Sequence, residues 1–181
     1  VTVKADGERN LMFINSDGKV YFINRENRVR YMGCKIPEYK MSIFDGEFIN
    51  KSGNGGFLRN YYIFDVYYVK GVDVRDKKLG LEPETNSRNK LMKLFIVSLQ
   101  NQKSIFYEHP NFKLIINKKK YYSGNTKQPE KEALYDQDAS NDDTKIFNSC
   151  REILNKAHVK YGGLSKNSHL YTYAIDGLIF M

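Results

Sequence analysis

Tryptophan is absent from this 181-residue chain, and cysteine and proline are scarce, at two and four residues. Cys34 and Cys150 are far apart and have no metal-ligand spacing, so we interpret them as reduced thiols of an intracellular protein. No apolar run approaches the ~18 residues of a membrane-spanning helix, and the N-terminus has no signal-peptide pattern. The sequence therefore predicts an intracellular protein without a membrane partner.

Aromatic residues and positive charge are abundant instead. The chain has 14 Tyr and 11 Phe, and its hydrophobic fraction of 41% is typical of a globular domain. Aromatic side chains fit the half-buried surface of a sheet, which favours a sheet-rich fold. The net charge of +8 suggests a polyanionic partner such as nucleic acid, although it is equally compatible with simple solubility.

Alternating apolar and polar side chains predict strands in the first part of the chain. Asn15-Ser16-Asp17-Gly18 separates two such strands, 11–14 and 20–23, and is typical of a hairpin turn. The aromatic and β-branched run 61–69 predicts a central strand. Further strands are predicted at 28–32, 42–44, 48–49, 112–116 and 171–181.

Two segments have helical periodicity. Ser87 is a suitable N-cap for a helix over 87–102, whose apolar stripe is Leu91, Leu94, Phe95 and Leu99. A second helix is predicted over 143–160. Residues 123–144 are polar and turn-rich, which predicts a mobile surface insertion. Strands interspersed with two helices predict a mixed α+β domain.

The segment Lys4-Ala5-Asp6-Gly7-Glu8-Arg9 contains candidate catalytic and nucleotide-binding residues. A lysine attacks a nucleotide α-phosphate only as the uncharged amine, which burial or nearby positive charge favours. Asp6-Gly7 would form a tight turn that presents the amine, and Arg9 would hold ribose or phosphate oxygens. In isolation the segment is also typical of a solvated β-turn.

Four short segments occur in the order found in mRNA capping guanylyltransferases and in ATP-dependent DNA and RNA ligases. They are Lys4-Ala5-Asp6-Gly7-Glu8-Arg9, Phe44-Asp45-Gly46-Glu47, Tyr62-Ile63-Phe64-Asp65-Val66 with Gly71, and Asp176-Gly177-Leu178-Ile179-Phe180. The first matches the pattern K-x-D-G-x-R, and each lies in or beside a predicted strand. The chain thus resembles this superfamily of lysine nucleotidyltransferases from end to end.

The resemblance implies that Lys4 is the nucleophile that carries the nucleotide. Arg9 would bind the nucleotide, and Asp176 would lie near the α-phosphate and help to bind the Mg²⁺ or Mn²⁺ that polarises it. The alternative for Asp176 is an ordinary turn at a strand end. His158 and His169 show no metal-site pattern, and we interpret them as surface or packing residues.

Three further residues have implied nucleotide contacts. Glu47 would accept hydrogen bonds from the ribose hydroxyls, and Phe64 would stack on the purine. Arg25, with Asn27, resembles a segment that contacts phosphate and nucleobase. The alternatives are a solvated turn for Glu47, core packing for Phe64 and a hairpin end for Arg25. Lys118-Lys119-Lys120 is either a solvated strand end or a contribution to binding an RNA backbone.

The details of the motifs favour the capping branch of the superfamily. Asp176-Gly177-Leu178-Ile179-Phe180 has the D-G-L-I-F form of capping enzymes, and 20–27 is near their I-D-R-D-N pattern. This resemblance implies a GTP-dependent RNA guanylyltransferase that forms Lys4-GMP and passes GMP to 5′-diphosphate RNA. The alternatives are an ATP-dependent ligase that forms Lys4-AMP and an inactive domain that binds RNA or a protein partner.

The resemblance also implies an architecture. We expect one nucleotidyltransferase domain over 1–181, truncated at both ends, with largely antiparallel sheets and flanking helices in an ATP-grasp-like arrangement. The C-terminal OB barrel and the family's K-x-K motif are absent from this sequence. The Lys- and Asn-rich style resembles capping enzymes of large cytoplasmic DNA viruses. That likeness implies RNA triphosphatase and methyltransferase modules as neighbours, and a cytoplasmic location if the protein is viral or a nuclear one otherwise.

Overall fold

The computed structural model describes residues 2–52, 56–80, 86–100, 105–111, 113–121, 147–151, 153 and 175–180. The chain divides into two compact units, one of Asp6–Lys119 and one of Val1–Ala5 with Lys120–Met181. Its strands are β1 (Thr2–Ala5), β2 (Glu8–Ile14), β3 (Lys19–Asn24), β4 (Val29–Lys35), β5 (Ser42–Lys51), β6 (Phe57–Val69), β7 (Val72–Asp73), β8 (Phe106–Tyr107), β9 (Ile115–Lys118) and β10 (Ile175–Ile179). Helices with described bounds include the 3₁₀ helix η1 (Pro37–Tyr39) and α1 (Arg88–Gln100).

In the described part of the larger unit, eight strands form one sheet. Its strand order is β7-β6-β5-β2-β3-β4-β8, and β9 pairs with β6 outside this order. Within the described residues every pair is antiparallel except β6–β9, which is parallel. The described chain is therefore mostly antiparallel sheet with few helices, which confirms the sheet-rich part of the predicted α+β class.

The predicted hairpin is present as β2 and β3. Met12 pairs with Phe22 in the antiparallel register, and both side chains are buried. In the turn, the Asn15 side chain accepts hydrogen bonds from the backbone N–H groups of Asp17 and Lys19. Gly18 supplies the positive φ of 80° that a tight turn favours. Local turn chemistry thus sets the register that buries one face of the hairpin.

The prediction of separate strands at 42–44 and 48–49, divided by Asp45-Gly46-Glu47, is wrong. The segment lies inside β5, which is continuous from Ser42 to Lys51. A Cβ atom on Gly46 would stand 2.5 Å from Cζ of Tyr61, so the glycine makes room for a buried aromatic ring. That ring is fully buried, and its hydroxyl donates to the backbone oxygen of Asn10 at 2.6 Å.

The predicted helix over 87–102 is observed as α1, and residues 101 and 102 lie outside the described residues. Ser87 is its N-cap, since its hydroxyl accepts a hydrogen bond from the Lys90 N–H at 3.2 Å. The predicted apolar stripe is only partly right. Phe95 is buried and stacks on Phe44 of the sheet at 4.2 Å between ring centroids, whereas Leu94 is 50% exposed.

The smaller unit contains the antiparallel pair of β1 and β10. Residues 147–151 and 153 are helical, which agrees with the predicted second helix where it is described. The rest of that helix, the predicted insertion 123–144, His158 and His169 lie outside the described residues, as do 171–174 of the last strand.

Both cysteines are buried and unbridged. None of the described helices is long and apolar enough to span a membrane.

Candidate functional site

Lys4 and Asp176 form an ion pair on the two-stranded sheet of the smaller unit. They are separated by 172 residues in sequence, and Nζ of Lys4 donates to Oδ2 of Asp176. The pairing of Val3 with Leu178 brings β1 and β10 together, so the contact follows directly from strand register. The two side chains are 49% and 61% exposed, which leaves the pair accessible to a ligand.

Local backbone geometry explains how Lys4 is presented. Its neighbours Val3 and Ala5 are both buried, whereas Lys4 is exposed, as the alternation of a strand requires. The register of β1 against β10 shifts between Val3 and Ala5. Such irregularities redirect side chains and are common beside active sites. On the partner strand, Gly177 has a φ of 116°, a conformation that strongly favours glycine.

Arg9 is held by a buried carboxylate in the larger unit. Its Nε and Nη2 atoms donate to the two oxygens of Asp45 at 3.0 and 2.5 Å. The hydroxyl of Tyr67 donates to Asp45 at 2.7 Å, and the Asp45 side chain is fully buried. This bidentate arrangement fixes the plane of a guanidinium that is itself 45% exposed. Sequence reasoning found Arg9 but missed Asp45 and Tyr67 as its supports.

The charges of this network follow from its contacts. Hydrogen bonds to Asp45 raise the pKa of Arg9 above its usual range. Burial, assisted by the hydrogen bond to Asp45, raises the pKa of Tyr67 to about 12. At neutral pH, Arg9 is therefore a fixed cation and Tyr67 a neutral hydrogen-bond donor. A positive, pre-oriented guanidinium is suited to binding phosphate or ribose oxygens.

Two cations lie against the ring of Phe64. Cζ of Arg9 is 5.5 Å and Nζ of Lys119 is 5.2 Å from the ring centroid, both within cation–π range. Lys119 is only 5% exposed, so the interpretation of the lysine run as a solvated strand end is wrong for this residue. The parallel pairing of Ile63 with Lys118 positions it, a long-range contact that local sequence does not reveal.

Glu47 is the direct partner of Arg9 in the register of β2 and β5. It lies within the strand and not in a solvated turn, which corrects the alternative considered for it. A Cβ atom on Gly7 would stand 2.8 Å from Cγ of Glu47 and 2.8 Å from the Phe48 carbonyl oxygen. Gly7 therefore allows the bend after β1 to approach the Glu47 side chain closely.

Arg25 and Asn27 lie in the turn between β3 and β4. The Asn24 side chain accepts hydrogen bonds from the backbone N–H groups of Glu26 and Arg28, which shapes this turn. Arg25 and Asn27 line an open depression of about 280 Å³ together with Arg9. Asp45 and Tyr67 also line it. The turn thus adds a second arginine to the neighbourhood of the Arg9 network.

The predicted site residues consequently form two groups. Lys4 and Asp176 meet in the smaller unit, whereas Arg9, Arg25, Glu47 and Phe64 belong to the sheet of the larger unit. Within the described parts of the chain, no three His, Cys, Asp or Glu residues converge as a metal site. Mg²⁺ usually takes only one or two protein carboxylates and completes its shell with substrate phosphates and water. The half-exposed Asp176 carboxylate fits that requirement.

A family model described as the catalytic domain of mRNA capping enzyme matches residues 1–158 of the 181-residue chain. The matched segment includes Lys4, Arg9, Arg25, Glu47 and Phe64, and it ends before Asp176. A search of curated proteins finds no match.

Proposed function

The chain belongs to the family of mRNA capping enzyme catalytic domains, and we propose that it is a GTP-dependent RNA guanylyltransferase with a covalent Lys4–GMP intermediate. Family membership supports nucleotidyl transfer of the guanylyltransferase type. The observation that supports Lys4 as the nucleophile is its contact with Asp176 across the two-stranded sheet. An accessible amine beside a carboxylate supports the roles that the resemblance implies for Lys4 and Asp176.

The first step is attack by Nζ of Lys4 on the α-phosphorus of GTP. An N–P bond forms, the bond from the α-phosphorus to the bridging oxygen breaks, and pyrophosphate leaves with the electron pair. Lys4 lies in an ion pair with Asp176, whereas the nucleophile is the uncharged amine. Binding of GTP must therefore separate the pair. One proton leaves Nζ for the solvent before attack, and a second leaves as the N–P bond forms.

A divalent cation, Mg²⁺ or Mn²⁺, would be held by Asp176 and would neutralise charge on the α-phosphate. Occupation of Asp176 in that role would also release Nζ of Lys4 from the ion pair. The remaining groups orient the nucleotide. Arg9, fixed by Asp45, and Arg25 supply cations for phosphate or ribose oxygens, and Glu47 accepts from ribose hydroxyls.

Phe64 is the candidate platform for the guanine base. Its ring already attracts Arg9 and Lys119, so the purine must share the ring with at least one of these cations or displace it. An aromatic ring that stacks a base contributes roughly 1–3 kcal/mol in nucleic-acid systems. Stacking alone does not distinguish guanine from adenine, because every base has a π-face.

In the second step, an oxygen of the terminal phosphate of 5′-diphosphate RNA attacks the phosphorus of Lys4–GMP. The N–P bond breaks, the amine takes up a proton, and the RNA gains a GMP cap. The substrate end must be produced by an RNA triphosphatase, which we expect as a fused or associated module. Viral origin and a cytoplasmic or nuclear location remain predictions.

The test is intact-mass spectrometry after incubation with Mg²⁺ and either GTP or ATP. We expect a single GMP adduct with GTP that Lys4→Ala abolishes. Lys40→Ala, which removes an exposed lysine after η1, is the matched control and should label like the unaltered chain. An AMP adduct formed in preference would assign the chain to ligase chemistry. Labelling that persists in Lys4→Ala would refute the assignment of the nucleophile.

A further inference from the structure

A second groove, of about 290 Å³, lies in the larger unit. Residues of β4, β5 and β6 line it, among them Arg30, Phe48, Asn50, Phe57 and Arg59. Its size is at the lower limit for a small-molecule pocket and corresponds to a single base or nucleotide. The groove is therefore suited to one unit of a longer ligand.

This groove is on the opposite face of the sheet from Arg9. Arg9 pairs with Glu47, and the next residue of β5, Phe48, points to the other face because side chains alternate along a strand. Phe48 contacts Phe22 at 5.3 Å between ring centroids, and Arg30 pairs with Phe22 in the register of β3 and β4. The groove thus shares no wall with the proposed nucleotide face.

Aromatic and cationic groups define the chemistry of the groove. Phe57 is 79% exposed, so its ring is available to a ligand and adds little to the core. Cζ of Arg30 lies 5.2 Å from the ring centroid of Phe48, which is 5% exposed. Nη2 of Arg59 donates to the Met32 carbonyl at 3.0 Å, which fixes a second guanidinium in the wall. Among the described residues that line the groove, none is acidic.

We propose that this groove binds a segment of single-stranded RNA, with one base stacked on Phe57 and the backbone phosphates near Arg30 and Arg59. An exposed aromatic beside cations is the usual composition of a single-strand site, because each base offers a π-face and each link carries a negative charge. A duplex would keep its bases stacked on one another and away from the ring. The net charge of +8 favours the same partner. The choice of RNA over DNA rests on the proposed function.

The test measures binding of a fluorescently labelled, unstructured 12-nucleotide RNA by anisotropy, without GTP. Phe57→Ala should weaken binding roughly tenfold, since a stacked base is lost. Arg30→Gln should weaken it too, and should reduce the slope of log affinity against log salt by about 0.7 for one lost phosphate contact. The matched controls are Phe106→Ala, an exposed aromatic on β8, and Lys40→Gln, which removes one exposed charge; both should bind like the unaltered chain.

A second readout separates this proposal from the guanylyltransferase assignment. Formation of the GMP adduct in the absence of RNA should be unchanged in Phe57→Ala, because the groove lies off the nucleotide face. Failure of the unaltered chain to form an adduct would refute the proposed function, while RNA binding would still test the groove. Equal RNA affinity in Phe57→Ala, Arg30→Gln and the controls would overturn the proposal. Variants that keep their RNA affinity but no longer bind an acidic peptide would also overturn it, because the groove would then be a peptide site.

Discussion

The buried carboxylate of Asp45 provides the sharpest test of how the larger unit is held together. Asp45→Asn keeps the side-chain shape but removes the charge and replaces one acceptor oxygen with an NH₂ donor. Two hydrogen bonds from Arg9 and one from Tyr67 converge on this group. Because Arg9 donates to both oxygens, either orientation of the new amide turns its NH₂ group toward at least one Arg9 donor.

The expected cost follows from the number and type of these bonds. A hydrogen bond to a charged group contributes about 1.5–3 kcal/mol, and an unsatisfied buried partner costs about 1–3 kcal/mol. Arg9 is 45% exposed, so water replaces part of what its guanidinium loses. We expect Asp45→Asn to lower the free energy of unfolding by about 2 kcal/mol. Tyr67→Phe, which removes one neutral donor, should cost about 1 kcal/mol.

Urea denaturation followed by circular dichroism measures both values from the shift in midpoint at constant m. The matched control is Asp17→Asn, an exposed acid in the β2–β3 turn, which should change the free energy of unfolding by less than about 0.5 kcal/mol. An Asp45→Asn variant as stable as this control would refute the network. We also expect slower GMP-adduct formation at limiting GTP, because Arg9 loses its anchor.

Three further predictions concern single residues. Gly46→Ala should lower the free energy of unfolding by about 1–3 kcal/mol, because its Cβ would overlap the buried Tyr61 ring; an unchanged melting temperature would contradict this. Burial raises the pKa of Cys34 to about 12, so native Cys34 should resist iodoacetamide at pH 8 and react in urea, as peptide mapping would show. Phe64→Leu should raise the GTP concentration needed for half-maximal labelling by roughly tenfold, and Phe106→Ala should not.

Local signals in the sequence predicted much of the fold. The Asn15-Ser16-Asp17-Gly18 turn specified the β2–β3 hairpin, and Ser87 marked the start of α1 to within one residue. These features depend on side chains that bond to their own neighbouring backbone. Leu94 was assigned to the core because periodicity identifies an apolar stripe but not which part of it meets the sheet.

The site was less predictable, because its supports depend on pairing between distant strands. Glycine in Asp45-Gly46-Glu47 suggested a break, whereas it makes space for Tyr61 inside a continuous strand. The sequence does not predict the burial of Lys119, because nothing in its own segment indicates that β9 pairs in parallel with β6. The role of Asp45 follows only from the pairing of β2 with β5, which sets Asp45 opposite Leu11 and diagonal to Arg9.

The central claim is that Lys4 carries GMP through an N–P bond, and peptide mapping of the labelled chain tests it most directly. The chain is incubated with GTP and Mg²⁺, digested at a pH that preserves the bond, and analysed by tandem mass spectrometry. We predict GMP on Lys4 alone, no adduct in Lys4→Arg, and release of GTP when pyrophosphate is added to the adduct. GMP on another residue, or an adduct that pyrophosphate does not reverse, would contradict the account.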